Sequence, residues 1–241
     1  MTAVTSHIGI VACSAEGAAL CYRTICTAGA ELLGAHAHPE VTVHTYSLAD
    51  YMNRIYDDDW QGVAELMLSS AGKLARIGAD FLICPDNTIH QALPLVEPRS
   101  PLPWLHIAEV VVREAARRGY RRLGLTGTRW LVESEVYPEK VAAAGLELRR
   151  PHKAEREGIS RIIMDELVYG VFKPESISYF QGVIRGLADA DCEAVILGCT
   201  EIPLIIDDSN SPLPTLDSTR LLARAALRRA AAGKQGSIPP L

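Results

Sequence analysis

A carboxyl and a thiol stand at matching places in this chain of 241 residues. Asp86 follows the apolar run 79–84 and Pro85, and leads into Asn87 and Thr88. Cys199 follows the apolar run 194–197 and Gly198, and leads into Thr200 and Glu201; it lies 113 residues beyond Asp86. A second pair of segments, Ile8-Gly9-Ile10-Val11 and Leu123-Gly124-Leu125-Thr126, has its glycines 115 residues apart. Nearly equal offsets at two landmarks predict two similar halves, each carrying one of the two groups at the end of an equivalent strand. Proton carriers on opposite walls of one cleft suit inversion at carbon. One removes the Cα proton, the intermediate flattens, and the other delivers a proton from the opposite face. Asn87, Thr88 and Thr200, with nearby backbone N–H groups, would hold a carboxylate and the developing enolate charge. GxGxxG, P-loop and GxSxG sequences are absent. None of Lys73, Lys140, Lys153, Lys173 or Lys234 sits in a recognisable cofactor motif, so the expected chemistry needs no cofactor.

The elements that would position these groups alternate between strand and helix. Strands are expected at 7–12, 41–46, 79–84, 122–126 and 194–197. Helices are expected at 17–33, 59–78, 107–119, 134–144, 157–169, 177–187 and 219–232. In the second of these, Val63, Leu66, Met67, Ser70, Leu74 and Ile77 form the buried stripe. Continuous apolar strands between helices indicate parallel sheets covered on both faces. In such sheets ligands bind beyond the carboxyl ends of the strands, where Asp86 and Cys199 would lie. The segment after Gly233 has no periodicity and is expected to fray.

Composition excludes several classes. With 24 Lys and Arg against 29 Asp and Glu, the net charge is −5, and no basic stripe exists to neutralise nucleic-acid phosphates. No apolar stretch approaches the roughly 18 residues of a membrane span. No Lys or Arg precedes the apolar run 8–12, so the start reads as mature and cytoplasmic. Six cysteines at 13, 21, 26, 84, 192 and 199 show no CxxC pair, as expected for thiols in a reducing compartment. His36, His38 and His44 lack an acidic or Cys partner at ligand spacing, and no metal site is expected. Asp57-Asp58-Asp59 reads as an acidic run favouring a helix N-terminus. Arg54 and Lys173 have a side-chain carboxylate as a conceivable partner, with solvation as the default for both.

The chain resembles the aspartate/glutamate racemase family of cofactor-independent amino-acid racemases. The residues that carry the resemblance are Ile83-Cys84-Pro85-Asp86-Asn87-Thr88-Ile89-His90 and the more specific Leu197-Gly198-Cys199-Thr200-Glu201-Ile202. Between them Leu105–Glu109, Gly127-Thr128-Arg129 through Tyr137, and Ile162–Leu167 with Gly170 also match in order. The resemblance runs from about residue 7 to 228. It implies two similar α/β domains related by a pseudo-twofold axis, with the active site in the cleft between them. The second domain would be inserted in the first, giving 1–104 plus 212–241 and 105–211. It also implies a homodimer acting on a small carboxylate or amino acid.

Three departures bear on mechanism. Asp86 replaces the family's usual Cys. Cys84 lies on the same strand face but about 6–7 Å away, and a shift letting it substitute would misplace Asn87 and Thr88. The first loop reads Ala12-Cys13-Ser14-Ala15-Glu16 in place of a Gly-Gly-Met pattern, leaving Ser14 as its candidate substrate-binding residue. The closing segment Asp217-Ser218-Thr219-Arg220-Leu221-Leu222 lacks the family's His. A free Asp titrates near 3.9 and a free thiol near 8.5, so Asp86 needs a raised proton affinity to donate. The favoured expectation is racemisation of an acidic or related amino acid between Cys199 and Asp86. Thr200 and Glu201 join Asn87, Thr88 and Ser14 as substrate-binding candidates; Glu201 is also read as hydrogen-bonding within its own turn. Two alternatives stay open: a one-base decarboxylase or isomerase of a malonate- or maleate-like acid using Cys199 alone, and a non-catalytic binding protein.

Overall fold

The structure, a computed structural model, describes residues 5–233. Lys234 and the segment beyond Gly233 lie outside the described residues. The chain divides into two compact units, Met1–Ile107 with Thr219–Leu241, and Ala108–Ser218. The last helix thus belongs to the first unit. The chain passes from one unit to the other at the first turns of two helices.

The first unit contains β1 (Ile8–Ala12), α1 (Ala15–Leu33), β2 (Val41–Thr45), α2 (Leu48–Tyr56), α3 (Trp60–Arg76), β3 (Phe81–Ile83), α4 (Leu93–Val96) and β4 (Trp104–Leu105). The second begins with α5 (Ile107–Arg117) and β5 (Arg122–Thr126), followed by α6 (Arg129–Val132) and α7 (Pro138–Ala143). It continues through β6 (Glu147–Arg149), α8 (Lys153–Asp165), α9 (Pro174–Asp189), β7 (Ala194–Leu197) and β8 (Thr215–Asp217), before α10 (Ser218–Ala231). Each unit has a four-stranded sheet, ordered β2-β1-β3-β4 and β6-β5-β7-β8, and every pairing is parallel. The central strands β1, β3 and β7 are buried at every residue, as their unbroken apolar sequences require.

The two sheets are built alike in detail. Ala79 N–H donates to Leu74 O at 3.1 Å, and Cys192 N–H donates to Leu187 O at 3.0 Å, closing α3 and α9 the same way. The carboxylate of Asp80 accepts from His7 N–H at 2.8 Å, and that of Glu193 accepts from Arg121 and Arg122 N–H, so each ties the inner strand to the start of its neighbour. Leu82 N–H donates to Pro103 O, and Val195 N–H to Pro214 O, both at 2.9 Å. Gly9 and Gly124 hold the middle of β1 and β5 for a shared reason. A Cβ on Gly9 would stand 2.7 Å from Leu82 Cδ2 and 3.3 Å from Leu74 Cδ1, and one on Gly124 would stand 2.7 Å from Leu187 Cδ1.

Several elements differ from expectation. The helix expected at 134–144 is shortened to α7, because Pro138 has no N–H and takes the first turn, and the separate short helix α6 precedes it. The expected helix 157–169 starts four residues earlier, where Glu155 Oε2 accepts the His152 N–H at 2.8 Å, and gives way to a 3₁₀ turn at Leu167–Tyr169. Ile77, placed in the buried stripe of α3, is its exposed C-cap. Helix α2 and strands β4, β6 and β8 were not expected; α2 buries only Tyr51 and Ile55, and the strands span two or three residues each. Among the described residues no helix is long and apolar enough to cross a membrane.

Gly9→Val would overpack the contact between β1, β3 and α3, and is expected to cost about 1–3 kcal/mol. Urea denaturation would read this as a lower midpoint at an unchanged slope.

Candidate active site

In the first unit the site forms where β1 and β3 end. Ser14 caps α1, its Oγ accepting Gly17 N–H at 3.2 Å, and its own N–H donates to Asp86 Oδ2 at 3.0 Å. The carboxylate after β3 is thereby fixed to the loop after β1. The Asp86 carbonyl accepts from His90 Nδ1 at 2.8 Å, while His90 Nε2 accepts Ile107 N–H at 3.4 Å. These partners place the ring proton on Nδ1. His90 therefore braces the turn with both nitrogens engaged. Asn87 and Thr88 are buried beside Asp86 at the start of a 3₁₀ turn, Thr88–Ala92, with Asp86 itself half-buried.

Cys84 is fully buried, and its thiol donates to the Asp86 carbonyl at 3.7 Å. Burial, and after it the Asp86 charge, pushes this thiol well above its ordinary range, so it stays protonated. A side chain that the sequence patterns missed also lies here. The hydroxyl of Tyr51 on α2 is buried beside Ser70, Cys13, Cys84 and Asp86. Burial is the main cause of its raised pKa. Nothing in the local spacing of α2 marks it, since it is one apolar-facing residue among polar ones.

In the second unit Cys199 follows β7. Gly198 N–H donates to Thr126 O at 2.9 Å, and Thr126 Oγ1 donates to Ile196 O at 2.8 Å, binding the ends of β5 and β7 together. A Cβ on Gly198 would sit 2.6 Å from Thr126 O and 2.6 Å from Leu131 Cδ2, so only glycine allows this approach. Cys199 is half-buried and Thr200 buried. Both donate to one oxygen: Cys199 Sγ lies 2.9 Å, and Thr200 Oγ1 2.6 Å, from Glu201 Oε2. Glu201 is only 3% exposed, so these donors stabilise a carboxylate that water hardly reaches. A thiol whose proton already points at a buried carboxylate has its base in place. Thr128 caps α6 through a 3.4 Å bond from Leu131 N–H, in the position that Ser14 holds in the first unit. Its correspondence to Ser14 went unread in the sequence; the internal offset is the signal that finds it.

Ser14, Asp86, Asn87 and Thr88 are thus gathered in the first unit, and Cys199, Thr200 and Glu201 in the second. The cations considered for a carboxylate are both engaged: Arg54 Nη1 meets Asp59 Oδ2 at 2.7 Å, and Lys173 Nζ meets Glu166 Oε1 at 3.2 Å. Asp59 also caps α3 by accepting Gly62 N–H at 2.8 Å, which, with Arg54, holds its carboxyl below the usual range. Among the described residues no three His, Cys, Asp or Glu side chains gather as metal ligands do.

A family model described as Asp/Glu/Hydantoin racemase matches residues 10–226. The chain is 22% identical over 194 residues to the broad specificity amino-acid racemase RacX of Bacillus subtilis (strain 168), covering 79% of this chain and 81% of that protein. It is 31% identical over 162 residues to a glutamate racemase of Thermus thermophilus, covering 66% of this chain and 58% of that longer enzyme. Among solved structures, PH1733 from Pyrococcus horikoshii OT3, an aspartate racemase homologue, superposes with a TM-score of 0.81 at 26% identity, covering 94% of this chain and 99% of that one.

Because a Cβ at 198 would press on a backbone oxygen, Thr126 O at 2.6 Å, Gly198→Ala must part β5 from β7. It is expected to cost about 1–3 kcal/mol, measured by chemical denaturation.

Proposed function

The chain belongs to the Asp/Glu/Hydantoin racemase family and is an amino-acid racemase, and from that premise we propose that it interconverts the enantiomers of an acidic amino acid, with Cys199 and Asp86 as the two proton carriers. The observation that carries this reading is the hydrogen bond from the Cys199 thiol to the buried Glu201 carboxylate, at the strand end that Asp86 occupies in the other unit. In the forward direction Glu201 takes the thiol proton and the thiolate removes the Cα proton. The substrate carboxylate, held by Asn87, Thr88, Thr200 and Ser14, takes up the negative charge as an enolate. Asp86 then protonates the opposite face. All the proton carriers are side chains of the chain itself.

The two half-reactions are not equivalent. The N–H of Ser14 favours the ionised form of Asp86, which suits it as a base. As an acid, Asp86 must first gain a proton, and the negative charge of a bound substrate favours that. Racemisation is therefore expected to run at different maximal rates from the two enantiomers.

Proton NMR in deuterium oxide with L- and D-aspartate and L- and D-glutamate tests this proposal. The expected result is loss of the Cα signal with growth of the other enantiomer for at least one of the two amino acids. Cys199→Ser should lower that rate by at least about 100-fold. No exchange on any of the four, or full activity in Cys199→Ser, contradicts it.

A further inference from the structure

A second cluster of reactive side chains lies in the first unit, on β2 and α3. Lys73 Nζ is 2.9 Å from His44 Nε2 and 2.8 Å from the Tyr46 hydroxyl, and sits 4.3 Å from the centre of the Tyr46 ring. His44 Nδ1 is 3.0 Å from Ser70 Oγ, and Ser70 is fully buried. The Tyr46 hydroxyl is held in turn by Ser69 Oγ at 2.7 Å. The ammonium of Lys73 can only donate, so His44 Nε2 is the acceptor, and Nδ1 carries the ring proton and donates to Ser70. Burial and the Lys73 charge both push the pKa of His44 down, which keeps the imidazole neutral with its Nε2 lone pair on the lysine.

This is a nucleophile facing a base that a third side chain orients. The other described lysines are placed differently. Lys140 pairs with Glu109 at 2.6 Å, Lys173 with Glu166 at 3.2 Å and Lys153 with Glu157 at 3.9 Å. Those three amines face carboxylates, whereas Lys73 faces an imidazole nitrogen placed to receive the proton that the amine loses during attack. Lys73 is only half-buried, so a small reagent reaches it.

We infer that Lys73 is a site of N-acylation by small acyl phosphates, with His44 as the general base and Ser70 fixing the imidazole. The ammonium first releases a proton to solvent through His44. The amine then attacks the acyl carbon, forming the N–C bond. As the C–O bond to phosphate breaks, its electron pair leaves with inorganic phosphate, and the second nitrogen proton passes to His44 Nε2 and on to water. The Tyr46 ring favours the cation, so the rate gain comes from proton removal during attack. The amide product has lost the charge, and with it the cation–π contact and the donation to Tyr46. This inference is independent of the racemase site.

The test is incubation of the full chain with acetyl phosphate, following acetylation at each lysine over time by peptide mass spectrometry. The initial rate at Lys73 is expected to exceed those at Lys140 and Lys173 by at least about tenfold, a conservative share of what a positioned base supplies. Unfolding in guanidinium should erase that difference. His44→Gln keeps an acceptor but no base, and should bring Lys73 down to the level of the other two, whose own rates serve as internal controls for folding. Equal rates at the three lysines in the folded wild-type chain, or an unchanged Lys73 rate in His44→Gln, would overturn the inference.

Discussion

A carboxylate that is 3% exposed has to be paired, and Glu201 is paired by the two residues immediately before it. That requirement governs much of the second unit. For the Cys199 thiol and the Thr200 hydroxyl to reach one oxygen, the chain must turn sharply as it leaves β7. The turn presses Gly198 against the Thr126 carbonyl, where no Cβ fits. Thr126 in turn bonds back to Ile196 and so holds the inner strands in register. An unpaired buried carboxylate would cost several kcal/mol. Thiol, hydroxyl and carboxylate therefore hold one another, and the same contact that stabilises the turn gives the thiol somewhere to send its proton.

The first unit solves the same geometric problem with the polarity reversed. Its strand-end group is the carboxylate Asp86, and its partner is a donor, the Ser14 N–H. One unit thus presents an acidic hydrogen facing a base, and the other a base facing a donor. The scaffolds beneath are nearly interchangeable: the same strand order, the same closure of the preceding helix, and a carboxylate tying each inner strand to its neighbour. The shared scaffold accounts for why both groups occupy strand ends, and the residue at each end for why they differ chemically. Cys84, the alternative thiol in the first unit, is held protonated by burial and spends its hydrogen on the turn carbonyl.

The parts of this architecture that depend on burial were legible in the sequence, because burial leaves a continuous mark. The apolar runs before Asp86 and Cys199, the paired glycines and the long amphipathic helices all follow from strands and helices facing a core. Elements defined by a few hydrogen bonds left no such mark, which is why β4, β6 and β8 were missed. The expectation of a helix from 134 took no account of Pro138, which starts α7 instead. Asp86, Asn87, Thr88, Cys199 and Thr200 were nominated from residue type and position, and the structure places them just after β3 and β7. Glu201 was read as hydrogen-bonding within its turn, as it does, but which donors share it was not legible, since that depends on how the turn closes. Neither were the burial of the Tyr51 hydroxyl or the ion pairs that occupy Arg54 and Lys173, because those surroundings are set by tertiary packing.

The central claim is that two different groups serve the two faces of one carbon, and the enantiomer-resolved exchange of Asp86→Asn tests it most directly. In deuterium oxide the amide variant should still wash out the Cα proton of the enantiomer that presents it to Cys199. It should leave the other enantiomer's proton untouched and form almost no inverted product. Racemisation in both directions at wild-type rates would contradict the account, and would leave Asp86 outside the proton path.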